Sequence, residues 1–256
     1  MTVAAPEKPT TRIAIFDGIR GVAIVLVLLS HGWLLWPTEQ IDRSPLLDAV
    51  FSNGDAAVSV FFVVGSFLAT RNLLRLADGP SGLHPAVATL RRFVRLSGQT
   101  YLLLVTVVVV TVFDSSNTYA GTNLGKSVFT SATYTWNWYV RNDPAEARPD
   151  LGHLWYLSVD FQVFLLVLAA VCLMRHRRVR LVLVLSAMLV LMLWWRSHMY
   201  ALDPAGTAVR TWARGDAPVA GALAASALPF VGRLVPYARA MAIGAAVLLL
   251  PVLYLT

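Results

Sequence analysis

Seven apolar blocks, each close to the length a bilayer demands, leave this chain few ways to fold. They run over roughly 13–36, 56–75, 97–113, 153–174, 181–200, 217–233 and 240–256. A spanning helix needs about 20 apolar residues, because each residue advances 1.5 Å through a hydrocarbon core about 30 Å thick. Backbone groups in lipid must pair internally, and none of these blocks alternates like a barrel strand, so all are expected to be helices. The third block is the shortest in strictly apolar terms, from Tyr101 to Phe113. The expected fold is therefore all-α: a polytopic transmembrane bundle of about seven spans. At 57% hydrophobic and 14% charged residues, the chain is too apolar for a soluble domain of 256 residues.

The charges orient the bundle. Lys8, Arg12, Arg71, Arg75, Arg91, Arg92, Arg95, Arg175, Arg177, Arg178, Arg180, Arg233 and Arg239 fall on one side of this span map, and acids gather on the other. The excess of Lys and Arg in cytoplasmic loops places the N-terminus in the cytoplasm and the 114–152 connection outside. Residues 1–12 read as a disordered cytoplasmic tail, and 13–256 as one transmembrane domain. A multi-pass protein of the cell (plasma) membrane follows. The net charge of +7 is then loop charge facing anionic lipid headgroups, with no nucleic-acid partner. Cys172 stands alone, which leaves no intrachain disulfide and no thiolate metal cluster. The first block is longer than a signal-peptide core and has no small-residue cleavage site near its end, so it is expected to remain as an anchor.

Ionisable residues inside these spans are costly in lipid and point to function. Arg20 and His31 share the first span, eleven residues apart, close to three helical turns and so nearly on one face. Asp160 lies in the outer half of the fourth span, at a depth similar to His31. A carboxylate beside a histidine fixes its tautomer and stabilises the imidazolium, which makes a general base; a helix-bridging hydrogen bond is the other reading of the pair. Arg20 either lines a cavity, or snorkels to the cytoplasmic interface or pairs with Asp17. Arg92 and Arg95, three apart, either hold a phosphate-bearing ligand or serve topology and headgroups. Tyr134, Trp136, Trp138 and Tyr139 read as an interfacial belt or as a re-entrant loop, and Trp194, Trp195 and Tyr200 as belt residues. Gly65 and Ser66 suit close helix packing. Thr211, Arg214 and Asp216 precede Pro218 as a polar helix entry. Phosphate-binding loops, dinucleotide fingerprints, zinc-protease helices and nucleophile elbows are missing, and no residue set suggests a metal site.

Taken in order, these residues resemble the membrane-embedded acyltransferase-3 family, bacterial enzymes that O-acylate sugars, cell-envelope polysaccharides and some antibiotics. The likeness begins with Phe16–Asp17–Gly18–Ile19–Arg20–Gly21 and the Arg20-to-His31 spacing. It continues through Val60–Phe61–Phe62–Val63, then Arg91–Arg92–Phe93–Val94–Arg95, then Leu154–Trp155–Tyr156–Leu157–Ser158–Val159–Asp160–Phe161–Gln162, and ends with Thr211, Arg214, Asp216 and Gly221. The resemblance implies His31 as catalytic histidine, with Asp160, at a position where the family usually has glutamate, as its carboxylate. It implies Arg20, Arg92 and Arg95 at the donor phosphates, and Asp17, Trp155, Arg214 and Asp216 at substrate. It also implies acyl-CoA as a donor substrate reaching in from the cytoplasm, and a carbohydrate, envelope or secondary-metabolite hydroxyl as acceptor. No permanently bound cofactor is expected. Gly65–Ser66 reverses the family's usual order, and Ser97–Gly98–Gln99 stands where a proline is usual. The family's membrane domains have more spans, so the chain is expected to lack C-terminal ones. The competing readings are a transporter that uses His31, Asp160 and Arg20 as a path, and an inactive truncated scaffold.

Overall fold

A computed structural model of the chain describes residues 14–31, 54–113, 116 and 118–231. The tail 1–12, the last expected span 240–256 and the ends of the first and sixth expected spans lie outside these residues. Every regular element among the described residues is helical. The helices are α1 (Ala14–His31), α2 (Gly54–Asp78), α3 (Pro85–Phe113), α4 (Leu124–Ala132), α5 (Trp136–Asn142), α6 (Trp155–Met174), α7 (Arg178–Leu202), α8 (Pro204–Thr207), α9 (Thr211–Arg214) and α10 (Asp216–Ala227), with a 3-10 segment, Pro149–Leu154, leading into α6.

Four of the described helical segments are long and apolar enough to cross a bilayer: Gly54–Asp78, Pro85–Phe113, Pro149–Met174 and Arg178–Leu202. Each contains an expected span. The third differs most, beginning at Pro85 rather than near residue 97. Proline suits the first helical turn because its missing N–H would have no partner there, and the arginines at 91, 92 and 95 interrupt hydropathy without interrupting the helix. The sixth expected span, 217–233, differs too. α10 has 12 residues, about 18 Å at 1.5 Å per residue, and gives way to a turn at 228–230. Pro229 stands there, and proline removes a helical hydrogen bond and clashes with the preceding turn.

The described residues fall into two compact units, 14–31 with 54–61, and 62–231. In the first unit, α1 and the start of α2 meet at Ser30 and Gly54, where a Cβ on the glycine would lie 2.1 Å from the serine hydroxyl. In the second unit α6 is the central helix. Val159, Val163, Val167 and Val171 follow one another at four-residue spacing and are each no more than 1% exposed. That row is buried, and α3, α7 and α10 are among the helices packed against α6. Lipid offers no hydrophobic drive between helices, so fitted surfaces and small residues hold them together. α10 supplies the small residues: Gly221, Ala222, Ala225 and Ser226 are buried. A Cβ on Gly221 would fall 2.1 Å from the Val63 carbonyl oxygen of α2. Gly65 itself has open space around its Cβ direction, but α10 comes close to the α2 backbone at Val63 and Phe67, on either side of Gly65 and the buried Ser66, with Gly221 as the residue that permits it.

α3 and α6 run antiparallel: Leu104 packs with Leu151 and Leu154, while Arg92 meets Asp160. The part of α3 beyond Leu104 overshoots α6, and the connection folds back beside it. Leu104, Trp136, Tyr139, Ala147, Leu151 and Leu154 form one buried cluster, with Leu103, Val107, Val128, Ala132 and Val140 against it. Of the aromatics read as belt or loop lining, Tyr134 and Trp136 are therefore core residues, and Trp138 faces outward. Trp194 and Tyr200 are exposed, as interfacial residues would be.

Candidate active site

On α1 the histidine ring is held by its own helix. His31 Nδ1 lies 2.8 Å from the Val27 carbonyl oxygen, and the Ser30 hydroxyl donates to the same oxygen at 2.8 Å. A carbonyl can only accept, so Nδ1 carries a proton, and in the neutral imidazole Nε2 is the nitrogen with the lone pair. This is the tautomer a general base needs, obtained from a backbone carbonyl. Arg20, half-buried, sits three turns earlier near the same face.

Asp160 lies in the second unit, on the second turn of α6, and its partner there is Arg92 of α3, with Nη2 2.5 Å from Oδ2. Both side chains are largely buried, at 15% and 13% exposure. Such a pair makes an arginine and an aspartate tolerable inside a membrane protein, because each charge neutralises the other. The guanidinium also stacks over Phe164, 5.1 Å from the ring centroid. Arg95, expected beside Arg92 at a donor phosphate, is exposed on the neighbouring face.

An aromatic wall stands next to this pair. Phe93 of α3, one residue from Arg92, meets Tyr134 edge-on at 5.6 Å and Phe161 at 6.1 Å, and Tyr134 tilts against Phe161 at 4.9 Å. Tyr134 has φ 55, the left-handed region that a bulky residue enters only when its surroundings hold it there. Three contacts do so. Its hydroxyl lies 3.2 Å from that of Ser97, its ring is fully packed, and its carbonyl accepts from Gln162 Nε2 at 2.8 Å.

Gln162 is the hub of a buried polar network. Its Nε2 also donates to Asn137 Oδ1 at 3.0 Å, and its Oε1 accepts from the Thr211 hydroxyl at 2.5 Å. Asn137 Nδ2 closes the ring onto Thr211 Oγ1 at 2.9 Å and the Val209 carbonyl at 3.1 Å. Three chain segments, at 134–137, 162 and 209–211, are thereby fixed to one another. Thr211 is thus a network member rather than a helix cap, since no side-chain cap is made at α9.

Asp17 lies in the first turn of α1, in the first unit, while Arg214 and Asp216 sit at the α9–α10 junction with Trp155 of α6 against Arg214. Arg214, 3% exposed, lies over the Trp155 ring at 5.1 Å, and Trp155 meets Phe62 edge-on at 6.1 Å. Asp216 is also buried; its Oδ1 accepts from the Ala217 N–H and its Oδ2 from Arg196 Nη1 at 2.7 Å. The structure therefore joins Asp160 with Arg92, and Trp155 with Arg214. Arg196 and Asn137 were not singled out from sequence, while Gln162 stood only as the end of a motif run and Tyr134 only among the aromatics of the 114–152 connection. Arg196 had a legible signal, being the charged residue inside the 181–200 block, where intramembrane charge marks a site.

The acyltransferase-3 family model, described as an acyltransferase domain, matches residues 13–255. The chain is 26% identical over 176 residues to the regulator of hypoxia-inducible factor 1 of Caenorhabditis elegans, covering 61% of this chain and 33% of that protein. It is 27% identical over 170 residues to the peptidoglycan O-acetyltransferase OatA of Listeria monocytogenes serovar 1/2a (strain ATCC BAA-679 / EGD-e), covering 62% of this chain and 25% of that protein. The aligned part thus spans a third or less of each of these relatives. No solved structure matches the chain. With the family model covering nearly every residue, the chain belongs to the acyltransferase-3 family.

Proposed function

We propose that this chain is the membrane part of an O-acyltransferase. It takes an acyl group, acetyl in the simplest case, from acyl-CoA on the cytoplasmic side and passes it to a hydroxyl of a carbohydrate or other envelope acceptor. The observation that carries this reading is His31 of α1: an imidazole whose Nδ1–H is bonded to the Val27 carbonyl, which leaves Nε2 as the nitrogen that can act as a base. Nε2 removes the acceptor hydroxyl's proton as its oxygen attacks the thioester carbonyl; the C–S bond breaks and coenzyme A leaves as the thiol. Arg20, Arg92 and Arg95 answer the donor's phosphates, while Trp155, Arg214, Asp216 and Asp17 belong to the substrate path. The N-terminus is cytoplasmic and the acceptor side is outside, by the loop arginines. The peptidoglycan O-acetyltransferase among the relatives supports acetyl transfer to an envelope glycan.

Turnover of acetyl-CoA by the full-length membrane protein, assayed with envelope glycan as acceptor, tests the reading. His31→Ala is expected to lower the rate by roughly 10²- to 10⁴-fold, the usual contribution of a positioned base. Undiminished turnover in that variant removes His31 from the chemistry and this mechanism with it.

A further inference from the structure

Arg92 is only partly used. A guanidinium forms its strongest contacts with two parallel N–H donors on one anion. Here Nη2 reaches Asp160 Oδ2, while Nε is buried with no acceptor. The ring of Phe164 takes one face of the plane. Arg91 and Arg95, within one turn of Arg92, are exposed and have no acid bonded to them among the described residues. One carboxylate thus answers Arg92 alone, two exposed guanidinium groups lie within a turn of it, and a buried N–H donor has no oxygen. An unmet buried donor is costly, more so on a charged group. The arrangement suits an anion with more charge and more oxygens than a carboxylate.

We propose that Arg92 is a hand-over point, at which a phosphate group displaces Asp160 from the guanidinium by engaging Nε and Nη2 together. A phosphate monoester carries nearly two charges and three strong acceptor oxygens, so it satisfies the idle donor and draws on Arg91 and Arg95 as well. Asp160 then loses its cation and becomes free to accept a hydrogen bond or a proton. Ligand entry and release of the carboxylate are one event, and Asp160 is unavailable for other work until the phosphate arrives. The choice of coenzyme A as the phosphate source rests on the acyltransferase reading; a phospholipid headgroup offers the same chemistry.

The test measures dissociation constants of coenzyme A, and separately of phosphatidylglycerol in mixed micelles, for the purified full chain in neutral detergent. Asp160→Asn removes the competitor and keeps the shape, so coenzyme A should bind about tenfold tighter or more, a difference of 1.4 kcal/mol. Arg92→Lys should weaken it. Tighter phosphatidylglycerol with unchanged coenzyme A keeps the hand-over and transfers it to lipid. Neither ligand tightening overturns the hand-over, even where wild type binds coenzyme A and the donor assignment stands. Failure of wild type to bind coenzyme A counts against the donor assignment alone. Should Asp160→Asn not fold, infrared difference spectra of wild type labelled with ¹³C-carboxyl aspartate serve instead: ligand addition should shift a carboxylate band as the guanidinium leaves. An unshifted band at saturating ligand overturns the proposal.

Discussion

The buried charges of this chain divide into those with a fixed partner and those whose partner can be exchanged. Asp216 belongs to the first kind, with one oxygen on Ala217 N–H and the other on Arg196. Arg196→Ala leaves that carboxylate buried and short of a cation, which is expected to cost about 1–3 kcal/mol; Asp216→Asn should cost less, because no lone charge remains. Thermal unfolding of the detergent-purified variants measures both. Asp203 is a surface counterpart. The Arg210 guanidinium, and then the Gly206 N–H, hold its carboxyl below the usual carboxylate range. A depressed folded value stabilises the folded state above the unfolded value of about 3.9, and that contribution is lost as pH falls through the folded value. Asp203→Asn should therefore lower the melting temperature at neutral pH, where the contribution is present, and the two profiles should converge as pH falls below about 4, which flattens the variant's acid limb.

Helices here are placed by contacts that span composition does not register. α10 approaches α2 so closely that Gly221 has no room for a methyl group beside the Val63 carbonyl. Gly221→Ala must push two backbones apart, and a loss of about 1–3 kcal/mol is expected from overpacking. Gly65→Ala, in open space, is the control and should be near neutral by the same melting measurement. The network around Gln162 works between elements in a similar way, joining α5, α6 and the turn before α9 through side-chain amides and a hydroxyl. Gln162→Leu strands the Asn137 and Thr211 groups and releases the Tyr134 carbonyl, so Tyr134 should relax from φ 55. Ring-current-shifted resonances of ¹³C-tyrosine report that change, alongside a loss of about 2–4 kcal/mol for several unsatisfied groups. Gln162→Glu at low pH keeps the shape and should lose less.

At the scale of the whole molecule, the connection between α3 and α6 is a folded part of the second unit and not an open loop. Hydrophilic maleimide labelling tests this in a Cys172→Ala background. Lys126→Cys, at an exposed position, should react readily, whereas Ser131→Cys, 2% exposed in wild type, should stay protected until the protein unfolds. Equal reactivity would mean that the segment is open. Much of the molecule could be read without coordinates. Hydropathy at span length identified the four long helices, because a bilayer imposes one length and one backbone geometry on what crosses it. The motif run from Asp17 to Asp216 marked the family, because reactive groups are costly in lipid and stand out against it. Pairing was not legible in the same way. An Arg92 in one helix and an Asp160 in another carry no mark of their meeting, since side-chain partners across helices depend on register and rotation, which hydropathy leaves free. The burial of Tyr134 and Trp136, the approach of Gly221 to the α2 backbone beside Gly65, and the idle Nε of Arg92 were likewise decided only when the helices packed.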